Sequence, residues 1–179
     1  MPNNNFYEER IDGEVLFRGH IITLERDIIR LVNGQKSERE IIKVANAVAI
    51  VAIHNENLFL VRQYRYALGS SLLELPAGRL SENEEPINCA QRELQEEIGY
   101  RGNLTFLGSF YMAPGYSTEI IHYFWGKDLT WDPRPLDEGE FLQVETIPWQ
   151  KAVEMTDRGE FLDAKTIMGI LLVKNRQLP

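Results

Sequence analysis

The 179-residue chain has one cysteine, Cys89, and only three histidines. A single cysteine excludes an internal disulfide framework and a multi-cysteine zinc site. The longest nearly apolar run, VANAVAIVAI at 44–53, is far shorter than the roughly 17 to 25 residues that cross a bilayer. The first residues, MPNNNFYEER, lack the basic and then apolar layout of a signal peptide. These absences predict a reduced, soluble, cytoplasmic protein without a membrane partner.

Positive charge is also scarce in this chain. There are 19 lysines and arginines against 27 aspartates and glutamates, giving a formal charge of −8 and a pI of about 5.0. This balance argues against a nucleic-acid partner bound through a basic face. An anionic small molecule would also be repelled unless cations were supplied locally. The hydrophobic content of 44% suits one principal packed core.

Strand patterns and helix patterns are mixed along the chain, without a repeat period. From Val15 to about Lys43 β-branched and polar residues alternate around the turn-forming NGQ at 33–35, which predicts short antiparallel strands. Residues 47–54 and 57–66 flank a polar NEN and predict a core hairpin. A short strand is predicted in LLELPAG and longer ones in LTFLGSFY, TEIIHYFWGKDL and GEFLQVETI. The class is therefore α/β or α+β, with one boundary near residue 45.

Three segments have helix patterns. Pro86 suits a first turn and Gly99 a C-terminal stop, which predicts a helix between them. Two further helices are predicted in PWQKAVEMTDRGE and in DAKTIMGILLVKNRQ, the latter capped by Asp163. The apolar stripe of the first helix is predicted to comprise Ile87, Ala90, Leu94 and Ile98.

Three carboxylates, Glu93, Glu96 and Glu97, lie in the last turns of the first helix. Their spacings of three and four residues place them on one face. Each like-charge pair costs roughly 0.2–0.5 kcal/mol, and carboxylates in a last turn oppose the helix dipole by about 0.3–1 kcal/mol each. A solvated acidic face is the ordinary interpretation of such a run taken alone. A bound cation is the alternative, because it would neutralise the repulsion.

The flanking residues favour the cation. Gly78 is followed after five residues by Glu84, and after seven more by the run RELQEEIG at 92–99. This pattern matches the Nudix box, Gly-x5-Glu-x7-Arg-Glu-U-x-Glu-Glu-x-Gly-U, in which U is a bulky apolar residue. Tyr100 at the last position is a mild departure, because its body is apolar but not aliphatic. The chain therefore resembles the Nudix hydrolases.

This resemblance implies both a fold and a cofactor. We expect an α/β/α sandwich with a mixed sheet at 46–179, preceded at 1–45 by a small antiparallel β domain that forms a homodimer. Two or three Mg²⁺ ions, or alternatively Mn²⁺, are expected to bind hard oxygen ligands. Glu84 and Arg92 would hold the turn against the helix. The implied metal ligands are the carbonyl of Ala77 and the carboxylates of Glu93, Glu96, Glu97 and Glu140.

Two further segments resemble the ADP-ribose pyrophosphatase branch of the family. MAPGYSTE places Pro114 fifteen residues after Gly99, and the resemblance implies that Pro114, Gly115 and Glu119 contact substrate. A plain Pro-Gly turn is the alternative. VRQYRY precedes the box by the interval at which the branch has a Gln-x-Arg segment, which makes Arg65 a candidate for binding a substrate phosphate. Its alternative is an outward strand charge.

The late acidic segment LDEGEFLQVETIPW carries the predicted base. By resemblance Glu138 activates water, although Glu140 is the alternative base, and an ordinary acidic surface loop is the alternative to both. Glu97 and Glu93 would complete the catalytic set. Phe17, Arg18 and Glu119 are candidate contacts across a dimer, with unassigned surface as the alternative for the first two. Where the branch often has a His-Pro-Gly-like segment before the core strand, this chain has VANAV at 44–48.

The predicted reaction is Mg²⁺-dependent hydrolysis of the diphosphate of ADP-ribose, or of a related nucleoside diphosphate sugar, to AMP and ribose 5-phosphate. One alternative is a GDP-mannose or broad nucleotide-sugar pyrophosphatase. Another is a Nudix domain that binds a nucleotide without hydrolysing it. The intact set of three glutamates argues against the binder, because a binder has no need of a costly carboxylate cluster.

Overall fold

The computed structural model of the protein describes residues 6–177. Within this range the chain forms ten strands, three α-helices and one 3-10 turn at Tyr66–Leu68. The strands are β1 (Glu9–Arg18), β2 (Ile22–Arg30), β3 (Lys36–Val44), β4 (Ala47–His54), β5 (Asn57–Arg65), β6 (Ser70–Glu74), β7 (Ala77–Arg79), β8 (Tyr100–Tyr111), β9 (Ile120–Trp131) and β10 (Leu142–Pro148). The helices are α1 (Pro86–Glu97), α2 (Trp149–Asp157) and α3 (Ala164–Gln177).

The chain divides into two compact units, and the first contains residues up to Asn46 together with Tyr111–Ile120. Strands β1, β2 and β3 form its antiparallel sheet, with the predicted turn closed by a hydrogen bond from the Leu31 amide to Gln35 O at 2.8 Å. The later segment runs beside β3, where the Ile42 amide donates to Tyr116 O at 2.7 Å. The predicted domain range of 1–45 does not include residues 111–120. Residues 1–5 of that range lie outside the part of the chain that the structure describes.

The second unit contains Ala47–Phe110 and the chain from Ile121 onward. Its sheet has the order β10-β5-β4-β9-β8, with β6 paired to β5 and β7 paired to β4. Strands β4 and β9 are parallel, whereas β4 and β5 form the predicted antiparallel hairpin, paired at Ile53↔Leu58 and His54↔Asn57. Beyond that turn β4 pairs with β7 and β9, and β5 pairs with β6 and β10, so the sheet is mixed.

The core of the second unit surrounds β4, which is buried from Ala47 to Ala52. Alternate residues of a strand face opposite sides of a sheet. One side packs against α1, while Val51 on the other side lies against Gly169 of α3, where an added Cβ would be 3.0 Å from Val51 Cγ2. Helices therefore cover both sides, which confirms the predicted α/β/α sandwich with a mixed sheet. The core on the α1 side includes Val48, Ile50, Ala52, Val61, Cys89, Ala90, Leu94 and Phe124.

The predicted helix boundaries are confirmed at α1. Pro86 occupies the first turn, and Gly99 follows the helix with a φ of +81°, a left-handed conformation that glycine adopts without strain. The predicted apolar stripe is wrong at Ile87, which is 49% exposed, because Cys89 faces the core instead. No helix in residues 6–177 is long and apolar enough to span a membrane.

Candidate active site

The segment between β7 and α1 brings a glycine directly against a carboxylate. A Cβ added at Gly78 would lie 1.8 Å from Glu93 Oε1, so only glycine leaves room for this side chain. One residue earlier, the amide of Ala77 donates a hydrogen bond of 2.9 Å to Glu97 Oε2. The backbone at 77–78 therefore lies beside two of the four predicted metal-binding carboxylates.

Burial shifts the pKa of these two carboxylates. Glu93 is 6% exposed and Glu97 is 4% exposed. Desolvation raises the pKa of Glu93 to about 7, against the opposing charge of Arg92. Burial also raises the pKa of Glu97 well above its ordinary range, although the hydrogen bond from Ala77 opposes the rise. The site thus contains carboxylates whose negative charges are costly unless a cation joins them.

Arg92 connects the helix to the preceding turn. Its Nη1 lies 2.7 Å from Glu93 Oε1 and 2.9 Å from Glu96 Oε2, so it bridges both carboxylates. Its Nε and Nη2 lie 3.0 and 3.1 Å from the two oxygens of Glu84. Glu84 also accepts a hydrogen bond of 2.9 Å from the Ser81 amide. The predicted pairing of Glu84 with Arg92 is therefore present.

Replacing Glu84 by Gln is expected to destabilise the protein at neutral pH. The hydrogen bond from Arg92 is the largest of the effects that lower the pKa of Glu84 from 4.5 to about 2. A carboxylate with a lowered folded pKa contributes its stability above pH 4.5 and loses it as the pH falls towards 2. Urea unfolding should show a loss of about 1–3 kcal/mol at pH 7 that shrinks towards about pH 3. Glu82→Gln, at an exposed position, is the matched control.

The two candidate bases lie in different surroundings. Glu140 accepts a hydrogen bond of 3.1 Å from Gln63 Nε2, and pairing of Leu142 with Gln63 in adjacent strands places them together. Its charge adds to the effect of burial in raising the pKa of both Glu93 and Glu97. Glu138 is exposed. The structure thus brings Glu140 into electrostatic range of the box carboxylates, and both assigned roles stay predictions.

Arg65 forms a bidentate ion pair with Glu74. Its Nε lies 2.7 Å from Glu74 Oε1 and its Nη2 lies 2.6 Å from Oε2, while Nη1 is not used by this pair. Arg62, by contrast, pairs with Glu145 across β5 and β10, as expected of an outward strand charge. Binding of a substrate phosphate by Arg65 stays a prediction, and Nη1 is the atom that this pair leaves for it.

Sequence reasoning missed the group around Glu74. This side chain is 1% exposed and also contacts Lys165 Nζ, which lies 2.9 Å from Asp163 Oδ2. A carboxylate within the apolar run LLELP is a signal that could have identified it, because an unpaired buried charge is strongly unfavourable. The partners could not be identified in the same way, since Lys165 is 91 residues away.

The Pro-Gly segment belongs to the first unit. The carbonyl of Ala113 accepts hydrogen bonds from the amides of Tyr116 and Ser117 at 3.1 and 2.8 Å, so Pro114 and Gly115 form a tight turn. The amide of Glu119 donates a hydrogen bond of 3.2 Å to Ser117 Oγ. The substrate contacts assigned to this turn stay predictions, as do the dimer contacts of Phe17 and Arg18 in β1.

The box residues fit a hard divalent cation in their chemistry. Carboxylate oxygens and a backbone carbonyl are the ligands that Mg²⁺ prefers, and the buried Glu93 and Glu97 lack enough neighbouring positive charge to keep ordinary pKa values. No three acidic, histidine or cysteine side chains among residues 6–177 form a ready-made metal site. Arg92 Nη1 lies within 2.9 Å of both Glu93 and Glu96. Together with Glu97, these are the carboxylates that could hold a metal ion.

Known proteins are similar to most of this chain. The family model for the NUDIX domain matches residues 43–168. An ADP-ribose pyrophosphatase of Bacillus subtilis is 39% identical over 91% of this chain and 90% of its own length, and a methanol dehydrogenase activator of Bacillus methanolicus is 38% identical over 92% and 91%. A GDP-mannose pyrophosphatase of Salmonella paratyphi B is 32% identical over 76% and 78%.

A solved structure shares the fold. The crystal structure of an ADP compounds hydrolase has a TM-score of 0.86 and 27% identity, covering 94% of this chain and 93% of its own. The family resemblance indicated by the spacing of Gly78, Glu84 and residues 92–99 is thereby confirmed. The chain belongs to the Nudix family and is a hydrolase similar to the ADP-ribose pyrophosphatases.

Proposed function

We propose that the protein hydrolyses the diphosphate of ADP-ribose, giving AMP and ribose 5-phosphate, with Mg²⁺ as the cofactor and Mn²⁺ as a substitute. The observation that carries this proposal is the pair of buried carboxylates, Glu93 and Glu97, placed against the backbone at Ala77 and Gly78. The substrate assignment is supported by the Bacillus subtilis relative, whose name specifies ADP-ribose. The acidic protein would thus meet an anionic substrate through bound cations.

The proposed metal ligands are the carbonyl of Ala77 and the carboxylates of Glu93, Glu96, Glu97 and Glu140. Two or three bound divalent ions would supply Lewis-acid polarisation of the diphosphate and would lower the pKa of a nearby water molecule. The amide of Ala77 orients Glu97 through its 2.9 Å hydrogen bond. Gln63 orients Glu140 through its 3.1 Å hydrogen bond.

Proton transfer and substrate binding require other side chains. Glu138 would accept the proton of the attacking water, and Glu140 is the second candidate for this base. Arg65 would bind a phosphate oxygen through Nη1, since Nε and Nη2 already contact Glu74. Pro114, Gly115 and Glu119 would contact the remainder of the substrate.

A turnover panel tests the proposal. The purified chain with Mg²⁺ should hydrolyse ADP-ribose with a higher kcat/KM than GDP-mannose, other nucleotide sugars, NADH and nucleoside triphosphates. NADH belongs in the panel because it also contains a diphosphate, which joins two nucleosides. No turnover of any compound with Mg²⁺ or Mn²⁺ would refute hydrolysis and favour a nucleotide-binding domain without catalysis.

GDP-mannose hydrolysis is the second candidate function. The Salmonella relative named for that substrate is 32% identical over 150 residues, which cover 76% of this chain. A higher kcat/KM for GDP-mannose than for ADP-ribose would replace the first proposal with this one. The metal-binding carboxylates and the general base would keep the same roles, because both substrates contain the same diphosphate linkage.

We also infer a homodimer formed through the first unit. Its outer strand β1 exposes three consecutive apolar side chains, Val15, Leu16 and Phe17, to between 45 and 55%. Consecutive exposed apolar residues on an edge strand favour association. Light scattering should give twice the chain mass, and a monomer at micromolar concentration would contradict the inference. The cytoplasmic location stays a prediction of the sequence.

A further inference from the structure

A second charged group lies outside the Nudix box, at the end of β6. Glu74 accepts the bidentate contact of Arg65, at 2.7 and 2.6 Å, and its Oε2 also contacts Lys165 Nζ. The Glu74 side chain is 2% exposed and that of Lys165 is 12% exposed. Both carboxylate oxygens of Glu74 are therefore engaged by cations in a mostly buried setting.

Glu74 remains charged despite its burial. Desolvation pushes the pKa of Glu74 up, but the hydrogen bond from Arg65 and the charge of Lys165 outweigh it, so the pKa is lowered. A buried ion group of this kind contributes little net stability compared with apolar side chains of similar size. Its more specific consequence is geometric, because a bidentate contact fixes the plane of the Arg65 guanidinium.

Lys165 is itself held in place. Its Nζ lies 2.9 Å from Asp163 Oδ2, and the same oxygen accepts a hydrogen bond of 3.1 Å from the Thr166 amide at the start of α3. Thr166 Oγ1 in turn accepts a hydrogen bond of 2.8 Å from the amide of Leu75, next to Glu74. The beginning of α3 is thus tied to the end of β6, which limits the movement of a normally flexible lysine side chain.

The group lies within electrostatic range of the Nudix box. The hydrogen bond to Glu74 is the largest cause that raises the pKa of Arg65, and the charge of Glu97 adds to it. The charge of Lys165 opposes the rise that burial causes in the pKa of Glu97. Charges on Arg65 and Lys165 therefore act on the same carboxylate that we assign to metal binding.

We propose that Lys165 is a positioning residue, which fixes Glu74 and through it the guanidinium plane of Arg65, so that Nη1 of Arg65 is held ready for a substrate phosphate. This inference rests on the proposed hydrolysis and on the proposed role of Arg65. Lys165 itself does not contact the substrate. Its effect on binding passes entirely through the Glu74 carboxylate.

The test compares Lys165→Met with Lys174→Met. Lys174 lies on the same helix and forms a more exposed ion pair, with Asp157 at 2.7 and 2.9 Å. The control therefore removes the same charge from α3 without disturbing Glu74. Lys165→Met should raise the KM for ADP-ribose about tenfold while kcat changes by less than about threefold. A displaced Arg65 would lose one charge-assisted contact with the substrate phosphate, which weakens binding by about this factor. Lys174→Met should leave KM unchanged.

A double substitution separates positioning from general loosening of the fold. If Lys165 acts through Arg65, the variant with both Arg65→Ala and Lys165→Met should have the KM of Arg65→Ala alone. Multiplied effects, or a lowered Tm of Lys165→Met with an unchanged KM, would overturn the inference. Lys165→Gln, which retains a donor for Glu74, should give an intermediate KM and serves if the methionine variant does not fold.

Failure of the underlying proposal gives a different result. If ADP-ribose is hydrolysed but Arg65→Ala leaves KM unchanged, the phosphate role of Arg65 and this inference both fail while hydrolysis stands. If Arg65→Ala raises KM and Lys165→Met does not, the inference alone fails. If nothing is turned over, calorimetric Kd values for ADP-ribose replace KM, and an equal Kd for the native chain and Lys165→Met overturns the inference.

Discussion

Replacing Glu97 by Gln is expected to lower Mg²⁺-dependent hydrolysis of ADP-ribose by at least about 10²-fold. A bound divalent ion contributes several kcal/mol of charge stabilisation in the transition state, and each 1.36 kcal/mol corresponds to a factor of ten. Glutamine has nearly the same shape, but its neutral amide oxygen is a weaker ligand for a metal ion. Its side-chain oxygen can still accept the hydrogen bond from the Ala77 amide, which is 2.9 Å long in the native chain.

The fold should survive this substitution, which separates a loss of chemistry from a loss of structure. Glu97 is 4% exposed and burial raises its pKa well above the ordinary range, so an uncharged amide relieves an unfavourable buried charge. Without metal the variant should unfold at the same temperature as the native chain or higher. Glu154→Gln, an exposed change on α2, is the control. Near-native turnover by Glu97→Gln would refute the metal assignment.

Much of the fold could be predicted because the periodicity of the chain is clear. The run from Ala47 to His54 contains almost nothing but small and β-branched apolar residues, and it became a central strand with a buried core. Pro86 and Gly99 predicted the ends of α1 because proline suits the first turn of a helix and glycine adopts the left-handed conformation that follows the last turn. Ile87 misled the prediction because the direction in which a helix faces depends on its neighbours, and here Cys89 lies at the core.

The candidate site could be predicted only where its spacing is local. Residues 92–99 lie on one helix, so their shared face follows from helix geometry. The contact between Arg65 and Glu74 crosses from β5 to β6, and Lys165 reaches Glu74 from α3. The ion pair of Arg92 with Glu84 was predicted, but its contacts with Glu93 and Glu96 were not. Which carboxylates an arginine contacts depends on side-chain positions that the sequence does not give.

Mg²⁺ is expected to stabilise the protein more at about pH 8 than at about pH 5. Without metal, the unfolded chain ionises Glu93 near 4.5, whereas burial keeps the folded pKa at about 7. The folded state therefore holds the proton through this window, and stability falls as the pH rises. A pKa raised from 4.5 to about 7 corresponds to a loss of about 3 kcal/mol, and the raised pKa of Glu97 acts in the same direction.

Divalent ions should reverse this loss because they bind the ionised carboxylates of the folded state and compete with protons for them. Urea unfolding with Mg²⁺ or with a chelator, at both pH values, measures the difference. Glu93→Gln should flatten the pH dependence of the metal-free protein and reduce its response to Mg²⁺, whereas Glu154→Gln should retain both. An equal Mg²⁺ effect at the two pH values would show that the ion binds carboxylates with ordinary pKa values, away from Glu93 and Glu97.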